Sequence, residues 1–471
     1  MVTSALTLNG KNEKLSKRQK VVDDEDLISN LPESILSHIL SLLPTKDAVR
    51  TCVLSTRWIY NWTFITTIDM NDTLPFGRRG CWKKKKEQFV NFVDKVLLHL
   101  ANPSIERFSL SMTAYQNYDL VRVNAWISSV LRRGVQKLHI HLSKDVFVSS
   151  RSLFNCNSLL DLKLDVRCTL RVPSSHFLSN LKLLHLCGVK FLNDSFPHST
   201  ELVLNFPVLK EFKCICCKWL NAQCVSIETP QLESFHINSA TFESLSNGIS
   251  KYSVKINSSH LRKFSYSGYQ LEDVILLNPS CVLVASIVNS FTRDEEYIML
   301  EVQRKTCMLL AQLCEVERLK LEIYFMKFLA RGRNLVASLP TFDKLIHLEI
   351  DSVFTPCETL LDLLHKTPSL ESLTFKDVAR FDKDLLASMV VPACISSNLK
   401  VVKLKAFEGV EHEIWLAKFF LENAKVLELM AITKYSRVFT CTDMAIVEQQ
   451  LLSASKISSA ATVKFLTVGT D

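Results

Sequence analysis

The chain has 471 residues, of which 47 % are hydrophobic and 22 % charged, and its formal net charge is +8. These values are ordinary for a folded protein of two to four domains, and the modest charge argues against a nucleic-acid binder. The 15 cysteines are scattered and follow no secretory signal, so we expect reduced thiols in the nucleus, the cytoplasm or both.

Residues 1–25 are polar and charged, and we predict a disordered tail there. The tail holds a basic cluster, which suits either a nuclear-import signal or a solvated tail: Lys11, Lys14, Lys17, Arg18 and Lys20.

Residues 26–66 contain the patterns of three short helices. Pro32 suits the first turn of one helix, and Pro44 ends it. Thr45 and Ser55 are candidate N-caps for the second and third helices. The segment is rich in large apolar side chains but too short for a core of its own, so we expect it to complete its core against a partner.

The order of these motifs resembles the F-box. The residues that carry the resemblance are Leu31-Pro32, Leu43-Pro44, the run Lys46–Val49, the run Val53, Leu54, Ser55, Arg57 and Trp58, and the closing Trp62. The resemblance implies a docking surface for a Skp-family adaptor and, through the adaptor, for cullin.

Six residues of this segment are candidates for adaptor contact: Leu31, Pro32, Ile35, Ile39, Leu54 and Trp58. The alternative for each is inward packing against this chain. We expect inward packing for four others: Leu36, Leu40, Val49 and Val53.

Residues 67–104 are predicted to form a linker and a capping helix. Apolar residues at helical spacing from Phe89 to Leu100 predict an amphipathic helix that covers the first edge of a repeat array. The run Lys83–Lys86 beside Trp82 is interpreted as a solvated loop rather than a nucleic-acid site.

Residues 105–394 repeat an apolar-x-x-apolar-x-apolar pattern, first seen at Ile105, Phe108 and Leu110. The repeats recur at intervals in or near the range of leucine-rich repeats. A degenerate unit at Val282, Ala285 and Ile287 fills the one long gap. We therefore predict an irregular leucine-rich-repeat solenoid, with helices or irregular segments on its convex side.

Polar residues alternate with the inward ones and are expected on the concave face. Candidates for binding a protein substrate are Asp161, Lys163, Asp165, His185, His236, Lys320, His347, Glu349 and Asp351. The alternative is a solvated face without a ligand.

Residues 395–471 suggest strands at Val401–Leu404, Val426–Leu429 and Val463–Leu466, with helices between them. Lys403–Gly409 and Phe420–Ala424 resemble the FBD domain. We expect this region to cap the last edge of the solenoid. The whole chain resembles the plant F-box/LRR/FBD family. The predicted fold class is α/β: a small all-α F-box, an irregular solenoid and a C-terminal α/β cap.

No motif for phosphate binding, serine hydrolysis or zinc catalysis is present. Cys214, Cys216 and Cys217 lack a second pair at zinc-ligand spacing, so we expect no metal, no other cofactor and no catalytic residue. The most apolar stretch, residues 273–291, is interrupted by Pro279, so no membrane partner is expected.

Together these features predict a non-catalytic substrate receptor of a Skp–cullin–F-box ubiquitin ligase that binds an unknown protein. The alternative is an interaction scaffold, adaptor-bound or free, without ligase activity. It is motivated by Thr56, Ile59 and Asn61, which depart from the usual F-box residues.

Overall fold

The structure is a computed structural model. It describes residues 31–72, 82–112, 119–143, 145–173, 178–239, 252–268, 273–289, 296–323, 337–351, 357–377, 390–434 and 444–466. The predicted tail, residues 1–25, lies outside these ranges.

The described chain begins with a small helical module. Helices α1 (Glu33–Ser41) and α2 (Thr45–Arg50) are followed by three 3-10 turns at Thr51–Val53, Thr56–Ile59 and Asn61–Phe64. Pro32 and Pro44 occupy the N-cap positions of α1 and α2, where a missing N–H costs nothing. The third predicted helix is therefore a series of 3-10 turns, and Ser55 precedes the second turn without a side-chain cap bond.

Beyond this module, most described strands join one long parallel sheet, the main sheet. Fifteen described strands follow one another in chain order within it, and β1 and β22 are its two ends. Their bounds are Thr67–Asn71 (β1), Arg107–Met112 (β2), Lys137–Leu142 (β3), Asp161–Val166 (β4), Leu183–Cys187 (β6), Glu211–Ile215 (β9), Ser234–Asn238 (β12), Lys263–Gly268 (β14), Val284–Asn289 (β16), Arg318–Ile323 (β17), His347–Asp351 (β18), Ser372–Asp377 (β19), Val401–Phe407 (β20), Leu429–Lys434 (β21) and Thr462–Leu466 (β22).

A second layer of helices and small sheets packs against the main sheet. The further helices are Trp82–His99 (α3), Leu120–Arg132 (α4), Ser150–Phe154 (α5), Glu296–Gln312 (α6), Cys357–His365 (α7), Ala393–Ser397 (α8), Glu411–Asn423 (α9) and Met444–Leu452 (α10), with a 3-10 turn at Pro279–Cys281. One small parallel sheet contains Thr169–Val172 (β5), Lys190–Asn193 (β7) and Lys218–Leu220 (β10), and the other contains Glu201–Asn205 (β8), Cys224–Glu228 (β11), Ser253–Asn257 (β13) and Asp273–Leu276 (β15).

The strands of the small sheets were not predicted. They all lie in the connections between β4 and β16. Connections outside this part of the main sheet hold helices, such as α4 and α6.

The core lies between the two layers and is continuous along the sheet. Every apolar position predicted from the repeat pattern is buried, from Ile105, Phe108 and Leu110 onward. The degenerate unit is also a strand, because Val282, Ala285 and Ile287 are buried beside β14. Alternate residues of each strand point inward, which makes two apolar rows across the main sheet.

The amphipathic helix predicted before the array is confirmed as α3, with Phe89, Val93 and Val96 buried. Two details differ from the sequence-based expectations. Lys83–Lys86 belongs to α3 instead of a loop. Residues 67–71, assigned to a linker, form β1.

The C-terminal strands continue the main sheet, since β20, β21 and β22 pair in register with β19 and with one another. The predicted strand near Val426 begins three residues later, at Leu429, and Val426 is exposed. This region therefore lengthens the sheet rather than covering its edge. The overall α/β class with a helical N-terminal module is confirmed.

Candidate protein-interaction surfaces

Side-chain hydroxyls attach the N-terminal helices to the start of the main sheet. The backbone N–H of Thr66 donates to Ser41 Oγ at 3.1 Å, and that of Asp69 donates to Thr45 Oγ1 at 2.7 Å. Thr45 is buried and is the first residue of α2, whereas Pro44 occupies the N-cap position. The Thr45 hydroxyl therefore bonds to a strand, and the prediction that Thr45 caps the helix is wrong. The module therefore satisfies backbone donors at the β1 edge.

The inward side of the module is apolar and closely packed. Leu36 and Leu40, one turn apart on α1, are buried as expected, together with Ala48 of α2. Val49 is half-buried and packs against the core. The core of this small unit is thus completed by the rest of its own chain.

The outward side of the module keeps many apolar side chains in solvent. We call this set the N-terminal apolar surface: Ile35, Ile39, Leu42, Leu43, Val53, Leu54, Ile59, Tyr60 and Phe64. On α1, Ile35, Ile39 and Leu42 lie at i, i+4 and i+7, which places them on one helix face. A concentration of exposed apolar side chains in so short a segment marks a protein-interaction site.

The six candidate contact residues differ in their accessibility. Pro32, Ile35, Ile39 and Leu54 are exposed, and Leu31 is half-buried against the core. Trp58 is only 7 % exposed, so we remove its side chain from the contact set. It belongs to the buried apolar core of the chain.

Val53 was expected to pack inward, but it is 82 % exposed, so that prediction is wrong. The prediction of inward packing assumed a regular second helix. The helix instead ends at Arg50, and the following 3-10 turn rotates Val53 outward beside Leu54.

The second candidate surface is the polar face of the main sheet, formed by residues that alternate with the buried rows. Its clearest feature is a row of cationic and imidazole groups on five neighbouring strands, in register: His139, Lys163, His185, Lys213 and His236. The sheet thus brings together residues that are far apart in sequence.

Carboxylates beside this row balance part of its charge. His139 Nε2 lies 3.1 Å from Asp161 Oδ2, and His185 Nε2 lies 2.9 Å from Glu211 Oε1. Lys213 Nζ also reaches Glu211, at 2.8 Å. These contacts fix the side chains as a connected polar layer.

Burial and neighbouring charges shift the pKa values of this layer. Burial works to raise the pKa of Asp161, but the hydrogen bond and charge of His139 outweigh it, so the pKa is lowered. Burial is the main cause that lowers the pKa of His185, and the charge of Lys213 adds to it. The pKa of His236 is lowered by burial, then by Lys213 and His185. His185 and His236 are therefore neutral at pH 7.

Farther along the sheet the predicted substrate residues are less uniform. Lys320 Nζ lies 3.6 Å from Glu349 Oε1 on the neighbouring strand, and His347 is exposed. Asp351 does not lie on the open face, because its side chain is only 7 % exposed and pairs with Lys376 at 3.2 Å. The β18–β19 register shifts between Ile350 and Asp351, which turns this carboxylate away from solvent.

The described residues provide no centre for metal chemistry. They contain no group of three or more His, Cys, Asp or Glu side chains that can hold a metal ion. Cys214 is buried, as expected. Burial raises the pKa of Cys168 to about 12, and burial with Asp165 does the same for Cys187. Such thiols stay protonated at neutral pH and are poor nucleophiles.

In the described part of the chain, no helix is both long and apolar enough to cross a bilayer.

Family models match two parts of the chain. The F-box domain matches residues 28–60, and the FBD domain matches residues 389–432. The chain is also similar to the F-box/FBD/LRR-repeat protein At3g14710 of Arabidopsis thaliana, with 29 % identity over 88 % of this chain and 89 % of that protein. The chain thus contains an F-box domain and an FBD domain and is similar over most of its length to an F-box/FBD/LRR-repeat protein.

Two further proteins from Arabidopsis thaliana are similar to this chain over most of its length. The F-box/LRR-repeat protein At4g14096 is 26 % identical over 93 % of this chain and 94 % of its own length. The FBD-associated F-box protein At1g66310 is 27 % identical over 88 % of this chain and 91 % of its own length.

Sequence reasoning missed members of both surfaces. Leu42, Val53 and Tyr60 are exposed on the F-box. His139 and His141 pair with Asp161 and Asp165 on the polar face. Aligning the repeat that contains β3 with the repeat that contains β4 would have placed these histidines beside those carboxylates.

Proposed function

We propose that this chain is the substrate-recognition subunit of a Skp–cullin–F-box type ubiquitin ligase. Its F-box docks a Skp-family adaptor, and its repeats bind a target protein. The single observation that carries the proposal is the N-terminal apolar surface. It is exposed on the F-box domain, although the rest of the chain already completes the core of this domain.

The exposed residues suit a helical adaptor. Ile35 and Ile39 form a stripe on α1, while Val53 and Leu54 project from the turn after α2. Covering such apolar side chains contributes roughly 25 cal/mol per Å² of area removed from water. Leu31 and Pro32 stand at the start of the module, where they complete the proposed contact.

The rest of the chain supplies the target-binding part. We interpret the main sheet as the concave wall of an irregular leucine-rich-repeat solenoid. The solenoid comprises residues 105–394, and the FBD region, residues 395–471, continues its sheet. One parallel strand per repeat and a continuous apolar core support this interpretation. The polar face offers Asp161, Lys163, Asp165, His185, His236, Lys320, His347 and Glu349 as candidate target contacts.

On this proposal the chain has no catalytic residue of its own. It acts by holding a target close to the ubiquitin carrier, which raises the effective concentration of target lysines there. The nucleus and the cytoplasm are the proposed locations, and microscopy of a fluorescent fusion with and without residues 1–25 tests them.

A second candidate function is a scaffold that does not engage cullin. The observation that favours it is Asn61, one of the departures from the usual F-box residues. Its side-chain Nδ2 is buried and has no hydrogen-bond partner within the described structure. An unsatisfied buried donor weakens the packing of the 3-10 turns by roughly 1–3 kcal/mol.

Stepwise assembly separates the two functions. The purified chain is mixed with a plant Skp-family adaptor and then with cullin, and each mixture is analysed by size-exclusion chromatography. The receptor proposal expects one peak with all three proteins. A stable pair that excludes cullin supports the scaffold, and no pair at all contradicts the receptor proposal.

A further inference from the structure

Two adjoining cavities lie where the main sheet meets the small sheet of β5, β7 and β10. Their volumes are about 550 and 670 Å³. Asp145, Arg167 and Lys190 line both cavities, so the two form one continuous hollow. We call it the basic cavity.

Cationic side chains outnumber carboxylates in the basic cavity. Five cations of the described residues line it: Arg151, Arg167, Arg171, Lys190 and Lys218. The carboxylates that line it within the described ranges are those of Asp145 and Asp165. Asp165 already pairs with His141 at 2.6 Å, and Arg171 pairs with Asp194 at 3.3 Å. Among the described residues, Arg151, Arg167 and Lys190 form no ion pair.

The backbone holds these cations close together. Lys190 and Lys218 are direct Cα partners on the neighbouring strands β7 and β10, roughly 4.8 Å apart as in any sheet. Like charges directly opposite each other destabilise a strand pair. An anion placed between the strands would offset that repulsion.

Arg167 is positioned by a glycine. Gly188 has a φ of +74°, and a Cβ added there would lie 3.6 Å from Arg167 Cγ. The stem of Arg167 therefore rests on Gly188. The carbonyl of Arg167 also accepts a hydrogen bond from the Val146 N–H at 2.9 Å, which ties it to the loop that lines the smaller cavity.

The smaller cavity also has an apolar wall. Val146, Phe147 and Leu192 line it beside the cations. Phe147 is 72 % exposed, although large aromatic side chains usually gain from burial. A ligand that covers Phe147 must therefore carry an apolar group as well as negative charge.

We propose that the basic cavity binds an acidic segment of a partner protein, with glutamate or aspartate side chains on the cations and one large apolar side chain against Phe147. The cations are spread over one helix, one loop and three strands, which suits several carboxylates along a chain better than one compact anion. The proposal deepens the proposed receptor function, on which it rests, by naming the class of segment that the repeats hold.

Fluorescence anisotropy with the full chain tests this binding directly. The probe is a labelled glutamate-rich peptide with a central leucine, compared with peptides in which glutamine replaces glutamate, alanine replaces leucine, or phosphoserine replaces glutamate. We expect the glutamate–leucine peptide to bind most tightly. We also expect its affinity to fall as salt rises, because partly exposed charges are screened.

Variants of the chain locate the site. Arg167→Ala/Lys190→Ala is expected to weaken binding about ten-fold, equivalent to roughly 1.4 kcal/mol, and Lys190→Gln/Lys218→Gln to a similar extent. Phe147→Ser should abolish the preference for leucine over alanine. Arg107→Ala/Lys263→Ala removes the same kinds of charge from exposed positions elsewhere on the main sheet and should bind as the wild type does.

Four results would overturn the proposal: no binding of the glutamate–leucine peptide, equal binding of the glutamine peptide, binding of the phosphoserine peptide alone, or equal loss in the Arg107/Lys263 control. Circular dichroism of each variant verifies its fold. This assay contains no adaptor, so its result does not depend on adaptor binding. Failure of the chain to bind an adaptor would contradict the proposed function but not the proposed binding of an acidic segment.

Discussion

At the scale of single residues, burial raises the pKa of Glu413 and lowers the pKa of His236. Glu413 at the start of α9 accepts backbone N–H bonds from Glu408, Gly409 and Val410 at 3.0, 2.7 and 3.1 Å. Burial nevertheless raises its pKa to about 7. His236 is half-buried on the polar face, and its pKa is lowered. Each group therefore gives stability a different dependence on pH.

Glu413 is expected to make the protein less stable as pH rises. Its folded pKa lies above the value of 4.5 for an unperturbed glutamate, so the folded state holds the proton more tightly, and this contribution is lost between pH 4.5 and about 7. Replacing Glu413 with Gln should flatten that part of the profile of melting temperature against pH. Glu411→Gln, an exposed change in the same helical turn, is the control and should leave the profile as in the wild type. Identical profiles for both variants would contradict this role.

His236 is expected to act in the other direction. Because its folded pKa lies below 6.5, the unfolded state binds the proton more readily, and acidification through 6.5 removes stability. The melting temperature of the His236→Asn variant should therefore fall less between pH 7 and pH 5 than that of the wild type. The matched control is His198→Asn in an exposed turn. A loss as large as in the wild type would refute the assignment.

At the scale of elements, the junction of α3 and α4 connects the F-box to the repeats. Trp126 Nε1 donates to Asp94 Oδ1 at 2.6 Å, and Arg122 pairs with the same carboxylate at 3.2 Å. Arg133 donates to the carbonyls of Leu97 and Leu100 at 3.2 and 3.0 Å. These carbonyls belong to the end of α3, where no intrahelical donor is available and a cation is favourable.

Removing Arg133 is expected to loosen this junction. Arg133→Ala leaves those carbonyls without their donor, and hydrogen bonds to a charged group contribute roughly 1.5–3 kcal/mol. We expect a lower melting temperature and faster proteolysis near α3. Arg132→Ala, at the exposed neighbouring position, is the matched control. Equal melting temperatures for the two variants would show that the cap does not stabilise the junction.

At the scale of the whole molecule, the repeat pattern predicted the buried rows because each strand must place alternate residues in one shared core. The small sheets escaped prediction, since strands such as Lys218–Leu220 are too short to carry a periodic signal. Val53 and Asp351 were misplaced for local reasons, a 3-10 turn and a register shift, which depend on backbone geometry that the apolar pattern does not encode. The basic cavity needs residues from several repeats at once, so only the assembled structure shows it.

The central claim is that the exposed side of the F-box binds an adaptor, and calorimetric titration of a Skp-family adaptor into the purified chain tests it most directly. The test variant is Ile39→Asp/Leu54→Asp, which places charges on the N-terminal apolar surface without touching the core. The control is Leu98→Asp/Val121→Asp, two exposed apolar residues on α3 and α4. We predict binding by the wild type and the control and at least about a hundred-fold loss in the test variant, equivalent to roughly 2.7 kcal/mol. Absence of binding by the folded wild-type chain, or equal binding by the test variant, would contradict the account.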